Sequence, residues 1–135
     1  MLKKVGIGVL VSGSGSNLQS IIDHIQAGTL DAEIRVVLSN NPDAYALERC
    51  RKHQIPSVVI DHRQFDCREN YDRRAIAILE SSGVELVVMA GFMRILSPEF
   101  FRAFPRRIIN IHPALLPAFP GLESFKGKTY QTGHW

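Results

Sequence analysis

The sequence predicts a Rossmann-like α/β fold, an open parallel sheet with helices on both faces. Two observations predict it. Short apolar runs alternate with stretches of helical period from Lys4 to Ile111, which is the rhythm of repeated βαβ units. The runs are mostly apolar rather than alternating polar and apolar, as strands covered on both faces are. With 135 residues and neither linker nor internal repeat, one domain is expected, large enough to need no metal or disulfide staple.

Lys4 to Val11 reads as the first strand. Leu18, Ile21, Ile22 and Ile25 then recur at i, i+3, i+4 and i+7, one face of a helix ending near Gly28. Ile34 to Leu38, rich in β-branched residues, is the second strand. Asn40-Asn41-Pro42-Asp43 makes a turn, Ala44 to Lys52 a short helix, and Ser57 to Ile60 the third strand, followed by a polar loop through Asp66. Tyr71, Ala75, Ile78 and Leu79 mark a further helix closed by Gly83. Glu85 to Ala90 is the fourth strand, Pro98 to Phe104 a helical turn, and Arg107 to Ile111 the fifth strand.

Composition narrows the function classes. The chain is 45% hydrophobic and 21% charged, with a net charge of +3 and no basic block interleaved with aromatics, so nucleic acid is not an expected partner. Met1-Leu2-Lys3-Lys4-Val5 precedes an apolar run, but Gly6 and Gly8 break it and no cleavage pattern follows, so no signal peptide is expected. No run reaches the ~18 apolar residues of a membrane span. Cys50 and Cys67 form no CxxC pair and are expected to be reduced, structural thiols in a cytoplasmic protein.

The unusual residues fall at the carboxyl ends of the strands, where open α/β sheets bind ligands. Ser12-Gly13-Ser14-Gly15-Ser16-Asn17 joins the first strand to the first helix. Glycines let the backbone approach an anion, and the helix start supplies unpaired N–H groups. Ser16 or Asn17 could cap that helix as well as hold a phosphate oxygen. The loop lacks the Gly-Lys-Ser/Thr ending of a Walker loop, and Leu18 stands where the dinucleotide fingerprint has its third glycine. A Gly/Ser turn with a helix cap and no ligand also fits.

Asn110-Ile111-His112-Pro113 leaves the fifth strand. Residues two apart on a strand share a face, so an amide able to stabilise an oxyanion and an imidazole able to move a proton would sit together. A polar strand end with a surface histidine is the plainer reading. Ala90-Gly91-Phe92-Met93-Arg94-Ile95-Leu96-Ser97 leaves the fourth strand as an apolar loop with one cation, suited to a flat heterocycle or to ordinary packing. Arg68 reads as a solvated arginine at a helix start. His24, His53, His62 and His134 lack metal-ligand spacing, are assigned to the surface, and no metal is expected.

Together these segments, with Phe65-Asp66-Cys67-Arg68-Glu69-Asn70-Tyr71-Asp72, resemble the phosphoribosylglycinamide formyltransferase family from about Val5 to Gly121. The resemblance implies a formyltransferase-type sheet and transfer of a formyl group from 10-formyltetrahydrofolate, a co-substrate, to the amine of glycinamide ribonucleotide in purine biosynthesis. It implies that Gly15, Ser16 and Asn17 hold the ribose 5-phosphate. Arg68, Met93, Arg94, Ile95, Leu96 and Asn110 would contact the folate, and Asn110 and His112 would be catalytic. The family continues with further strands and with an aspartate that hydrogen-bonds the catalytic histidine. Those carboxyl-terminal strands are missing here, with Glu123 the only acidic residue after His112. The expected organisation is an incomplete domain over residues 1–121 and a divergent tail over 122–135. Such a chain is expected to be impaired or inactive alone. The alternatives are another folate-dependent formyl enzyme, such as formyltetrahydrofolate deformylase, or a non-catalytic fragment that self-associates or pairs through an exposed sheet edge.

Overall fold

Five parallel strands, β1 (Val5–Val11), β2 (Ala32–Ser39), β3 (Ser57–Val59), β4 (Leu86–Ala90) and β5 (Ile108–Ile111), form one sheet of order β3-β2-β1-β4-β5 in the computed structural model, which describes residues 4–111. Helices α1 (Ser16–Gln26), α2 (Ala46–Lys52), α3 (Arg68–Ser81) and α4 (Pro98–Ala103) connect them. The expected fold is borne out, and element ends differ from expectation by a few residues. Ile60 is not in the third strand, the second helix starts at Ala46 rather than Ala44, and the polar loop holds a 3-10 turn, His62–Gln64, capped by Asp61.

The sheet separates two apolar layers, and strand alternation decides which side chain joins which. Val9, Val11, Val37 and Val88 meet Leu18, Ile21 and Ile22 of α1 and Ala46 and Cys50 of α2. Leu10, Leu38, Val87 and Met89 meet Tyr71, Ala75 and Leu79 of α3 and Phe100 of α4. A register shift between Ile7 and Gly8 pairs Ile7 with Ile34 but Gly8 with Val36, leaving Arg35 over as a bulge on β2. The bulge lets Ile34 face the first layer and Val36 the second.

Gly6 and Gly8, which interrupt the apolar run of β1, lie on the α3 side. A Cβ on Gly8 would sit 2.6 Å from Leu79 Cδ2 and 2.9 Å from Val84 Cγ2, both buried. Bare backbone at this position lets the end of α3 and the turn into β4 lie directly on the sheet. Gly8→Ala is therefore expected to overpack this contact and cost about 1–3 kcal/mol, read as a lower urea midpoint with unchanged slope; an unchanged midpoint would contradict the packing described.

Cys50 is buried and Cys67 exposed, and neither is bridged. Burial pushes the Cys50 thiol from 9.0 up to about 11. The native state thus keeps a proton that the unfolded chain releases first, so stability should fall as pH rises from about 9 toward 11. A thiol reagent at neutral pH is expected to modify Cys67 promptly and Cys50 only after denaturant is added. Prompt native reaction of both would contradict this burial.

Candidate functional site

The strand order reverses at β1, whose neighbours β2 and β4 lead to opposite sides of the sheet. That crossing opens a crevice at the carboxyl ends of β1 and β4, the usual ligand position in such sheets. A cavity of about 240 Å³ lies there, lined by Ser12 through Asn17 and by Ala90, Gly91 and Met93. It is smaller than the ~300–1,000 Å³ that buries a drug-sized ligand and suits a group the size of a sugar phosphate.

The Gly/Ser loop is held from behind by α2. The Ala46 N–H donates to the Gly13 carbonyl at 3.1 Å, and Arg49 Nε donates to the Ser14 carbonyl at 2.8 Å. In a trans peptide the N–H points opposite to the C=O. With both carbonyls turned to α2, the N–H groups of Ser14 and Gly15 turn away from it. Gly15 makes the approach possible: its φ is +78°, and a Cβ there would lie 2.8 Å from the Ala46 backbone and 2.7 Å from Ala46 Cβ. Arg49 also reaches Gln19 Oε1 at 3.1 Å and stacks on Tyr45, keeping a cation beside the loop.

Ser16 and Asn17 were expected as possible caps of the first helix. Instead they are its first two residues, Gly15 occupies the N-cap, and no side chain caps the end. A serine at the N-cap would need a β-region backbone, whereas the tight turn over Ala46 demands a left-handed residue. Among the described residues, the N–H groups of Ser14, Gly15, Ser16 and Asn17 meet no acceptor. Together with the helix dipole they make a candidate anion seat.

The loop after β4 is the second wall. Its Met93 N–H donates to Ser12 Oγ at 2.9 Å, which ties it to the first loop. Met93 and Ile95 are 81% and 56% exposed, an apolar lip able to meet the face of a ring. Arg94 instead stacks on Tyr71, 5.3 Å from its ring centre, and Leu96 is buried in the second core layer. Burial drives the Tyr71 phenol well above its usual range, with the Arg94 cation opposing, so Tyr71 stays neutral. Arg68 is exposed in the first turn of α3 and lies three and four residues before Tyr71 and Asp72, on the face that meets this loop.

Asn110 lies near the end of β5, paired with Met89, while Ile111 pairs with Ala90 of the cavity wall. Leu38, Leu10, Met89 and Asn110 therefore form one row across the sheet. His112 and His134, and the boundary near residue 121, lie outside the described residues. His24 is exposed as expected, whereas His53 and His62 are half-buried, the former between Gln19 and Gln26. Among the described residues no group of acidic, Cys or His side chains is arranged to hold a metal ion.

A larger cavity, about 410 Å³, opens at the amino ends of the strands, lined by Lys4, Ile22, Ile25, Gln26, Ala32, Glu33, Ile34, His53 and Ile55. Among the described residues no helix begins at this cavity, so the smaller one, at the start of α1, is the better candidate. Ser12, Arg49 and Asp72 were not singled out from the sequence. Ser12 opens the Gly/Ser run, but the roles of Arg49 and Asp72 depend on contacts across 35 and 25 residues.

Residues 5–134 match the formyl transferase family. The chain is 45% identical over 122 residues to the phosphoribosylglycinamide formyltransferase of Escherichia coli (strain K12), covering 90% of this chain and 58% of that protein. It is 51% identical over 118 residues to the trifunctional purine biosynthetic protein adenosine-3 of Drosophila pseudoobscura pseudoobscura, covering 86% of this chain and 9% of the relative. Among solved structures, glycinamide ribonucleotide transformylase 1 from Symbiobacterium toebii superposes with a TM-score of 0.79 at 44% identity, over 88% of this chain and 56% of that one. The chain thus spans little more than half the length of the single-function relatives it matches.

Gly15→Ala forces a left-handed alanine, at about 1–2 kcal/mol, into contact with Ala46 and must displace the loop. It is expected to weaken ribose 5-phosphate binding about tenfold or more, since each charge-assisted N–H bond lost is worth ~1.5–3 kcal/mol. Titration calorimetry reads this directly, and an unchanged Kd would contradict the anion seat.

Proposed function

The chain belongs to the formyl transferase family, and we propose that it carries the substrate-binding part of an enzyme that moves a formyl group from 10-formyltetrahydrofolate to the amine of glycinamide ribonucleotide. The observation that carries this reading is the convergence of three strand ends. The anion seat after β1, the apolar lip after β4 and Asn110 on β5 stand on adjacent strands at one rim. Glycinamide ribonucleotide has an anionic end for the first, and its acceptor amine would lie toward Asn110. The folate ring system would lie along Met93 to Leu96, with Arg68 near the first turn of α3.

In this arrangement the amine lone pair attacks the formyl carbon and the carbonyl electrons move onto oxygen. The Asn110 amide polarises that oxygen and holds the resulting oxyanion. His112, two residues on, would take the amine proton and return one to the folate nitrogen as the carbon–nitrogen bond to the donor breaks. Holding both substrates side by side would supply much of the acceleration. No step needs a metal. The ligands are small molecules, and no helix among the described residues is long and apolar enough to cross a membrane. The free cysteines agree with a reducing, cytoplasmic setting. Among the described residues β5 is an outer strand of the sheet, which supports pairing of that edge with a further segment or a second copy.

The test is formyl transfer dependent on glycinamide ribonucleotide, run on this chain and on a version carried on to the length of the Escherichia coli relative. Transfer is expected in the longer form, and Asn110→Ala should lower its kcat about 100- to 1,000-fold with little change in KM. His112→Ala should also lower it. Formate release that needs no amine acceptor would instead favour a hydrolytic formyl enzyme and sink the proposal.

A further inference from the structure

The buried stripe of α3 contains a carboxylate. Asp72 is 2% exposed and stands beside Tyr71, Ala75 and Leu79 among the buried residues of that helix. Its Oδ2 accepts the Ser97 N–H at 2.6 Å, across 25 residues of sequence. A charged group withdrawn from water is unfavourable unless hydrogen-bonded, and bonds to a charged acceptor are the short, strong ones. Ser97 is the N-cap of α4, where a serine would ordinarily bond the helix start with its own hydroxyl. It does not: the Ser97 side chain makes no cap bond, and its buried Oγ has no partner among the described residues. The backbone at the end of the 91–97 loop is held by Asp72 instead.

The other anchors of this loop complete a clamp. Met93 N–H bonds Ser12 Oγ at its front, Arg94 lies over Tyr71, and Leu96 is buried against the second core layer. Tyr71 and Asp72, adjacent on α3, thus grip the loop at Arg94 and Ser97, and the exposed lip of Met93 and Ile95 is carried between fixed points. An apolar lip whose backbone is held before binding receives a flat ring at a lower ordering cost.

We propose that Asp72 is the positioning residue of the formyl-donor site, its buried carboxylate fixing the loop in the shape that receives the folate ring system. This rests on the reading above that the loop binds folate. Asp72 touches no substrate; it acts through the Ser97 backbone.

The experiment compares the unmodified chain with Asp72→Asn and Asp72→Leu. Calorimetry measures binding of a stable 5,8-dideazafolate donor analogue and, separately, of ribose 5-phosphate, and amide hydrogen exchange is followed along the chain. Asp72→Leu is expected to weaken the analogue about tenfold or more, as small misplacements of a binding group do, while ribose 5-phosphate moves less than about twofold. Asp72→Asn, which keeps an acceptor oxygen, should recover most of the loss. Exchange should quicken in residues 92–97 in both variants. If Asp72→Leu does not fold, exchange in Asp72→Asn decides: a selective increase at 92–97 supports the clamp, and none overturns it. Equal analogue binding by folded Asp72→Leu and the unmodified chain also overturns it. An unmodified chain that ignores the analogue, with exchange still quickened selectively, overturns the folate reading and leaves the clamp standing.

Discussion

Two carbonyls of the Gly/Ser loop are occupied by α2, and this constrains the rest of the site. The Ala46 N–H and the Arg49 guanidinium take the Gly13 and Ser14 oxygens. Peptide planarity then sends the intervening N–H groups the other way, toward the crevice between β1 and β4. Without that tether a glycine-rich loop would sample many shapes, and an anion would have to order it at an entropic cost. With it, the donors are set before any ligand arrives. Gly15 is the point where the requirement is strictest, because left-handed φ and contact with Ala46 coincide there.

The second loop is organised on the same principle from the opposite face of the sheet. α2 supports the Gly/Ser loop from the first apolar layer, while α3 supports the loop after β4 from the second. Ser12 Oγ joins the two loops across the rim. Each ligand wall is thus a short irregular segment leaning on a helix whose other residues belong to a core layer. This is how a sheet with helices on both faces turns packing into a site at its edge.

Much of this was legible in the sequence. Continuous apolar strands and the 3.6-residue periods of α1 and α3 dictate burial directly, so the architecture followed from pattern. Glycines in a strand–helix turn announce close backbone approach. The resemblance of Ser12–Leu18, Ala90–Ser97 and Asn110–Pro117 to one family added the chemistry. What stayed hidden rests on distant pairings. Arg49 and Asp72 have no assigned role in the sequence, because their partners Ser14 and Ser97 lie 35 and 25 residues away. The uncapped start of α1 was also missed, because Ser16 and Asn17 have the chemistry of caps while the backbone places Gly15 at that position. The β2 bulge was not read from the sequence; it shows in the strand register, where Arg35 is left over between Ile34 and Val36.

The most direct test of the central claim is to follow backbone amide resonances as ribose 5-phosphate is added to the isotope-labelled chain. The largest shifts should fall on Ser14, Gly15, Ser16 and Asn17, with smaller ones at Met93 through its bond to Ser12. Shifts concentrated instead around Ile22, Ile25 and His53, at the amino ends of the strands, would show that the tethered loop is not the anion seat.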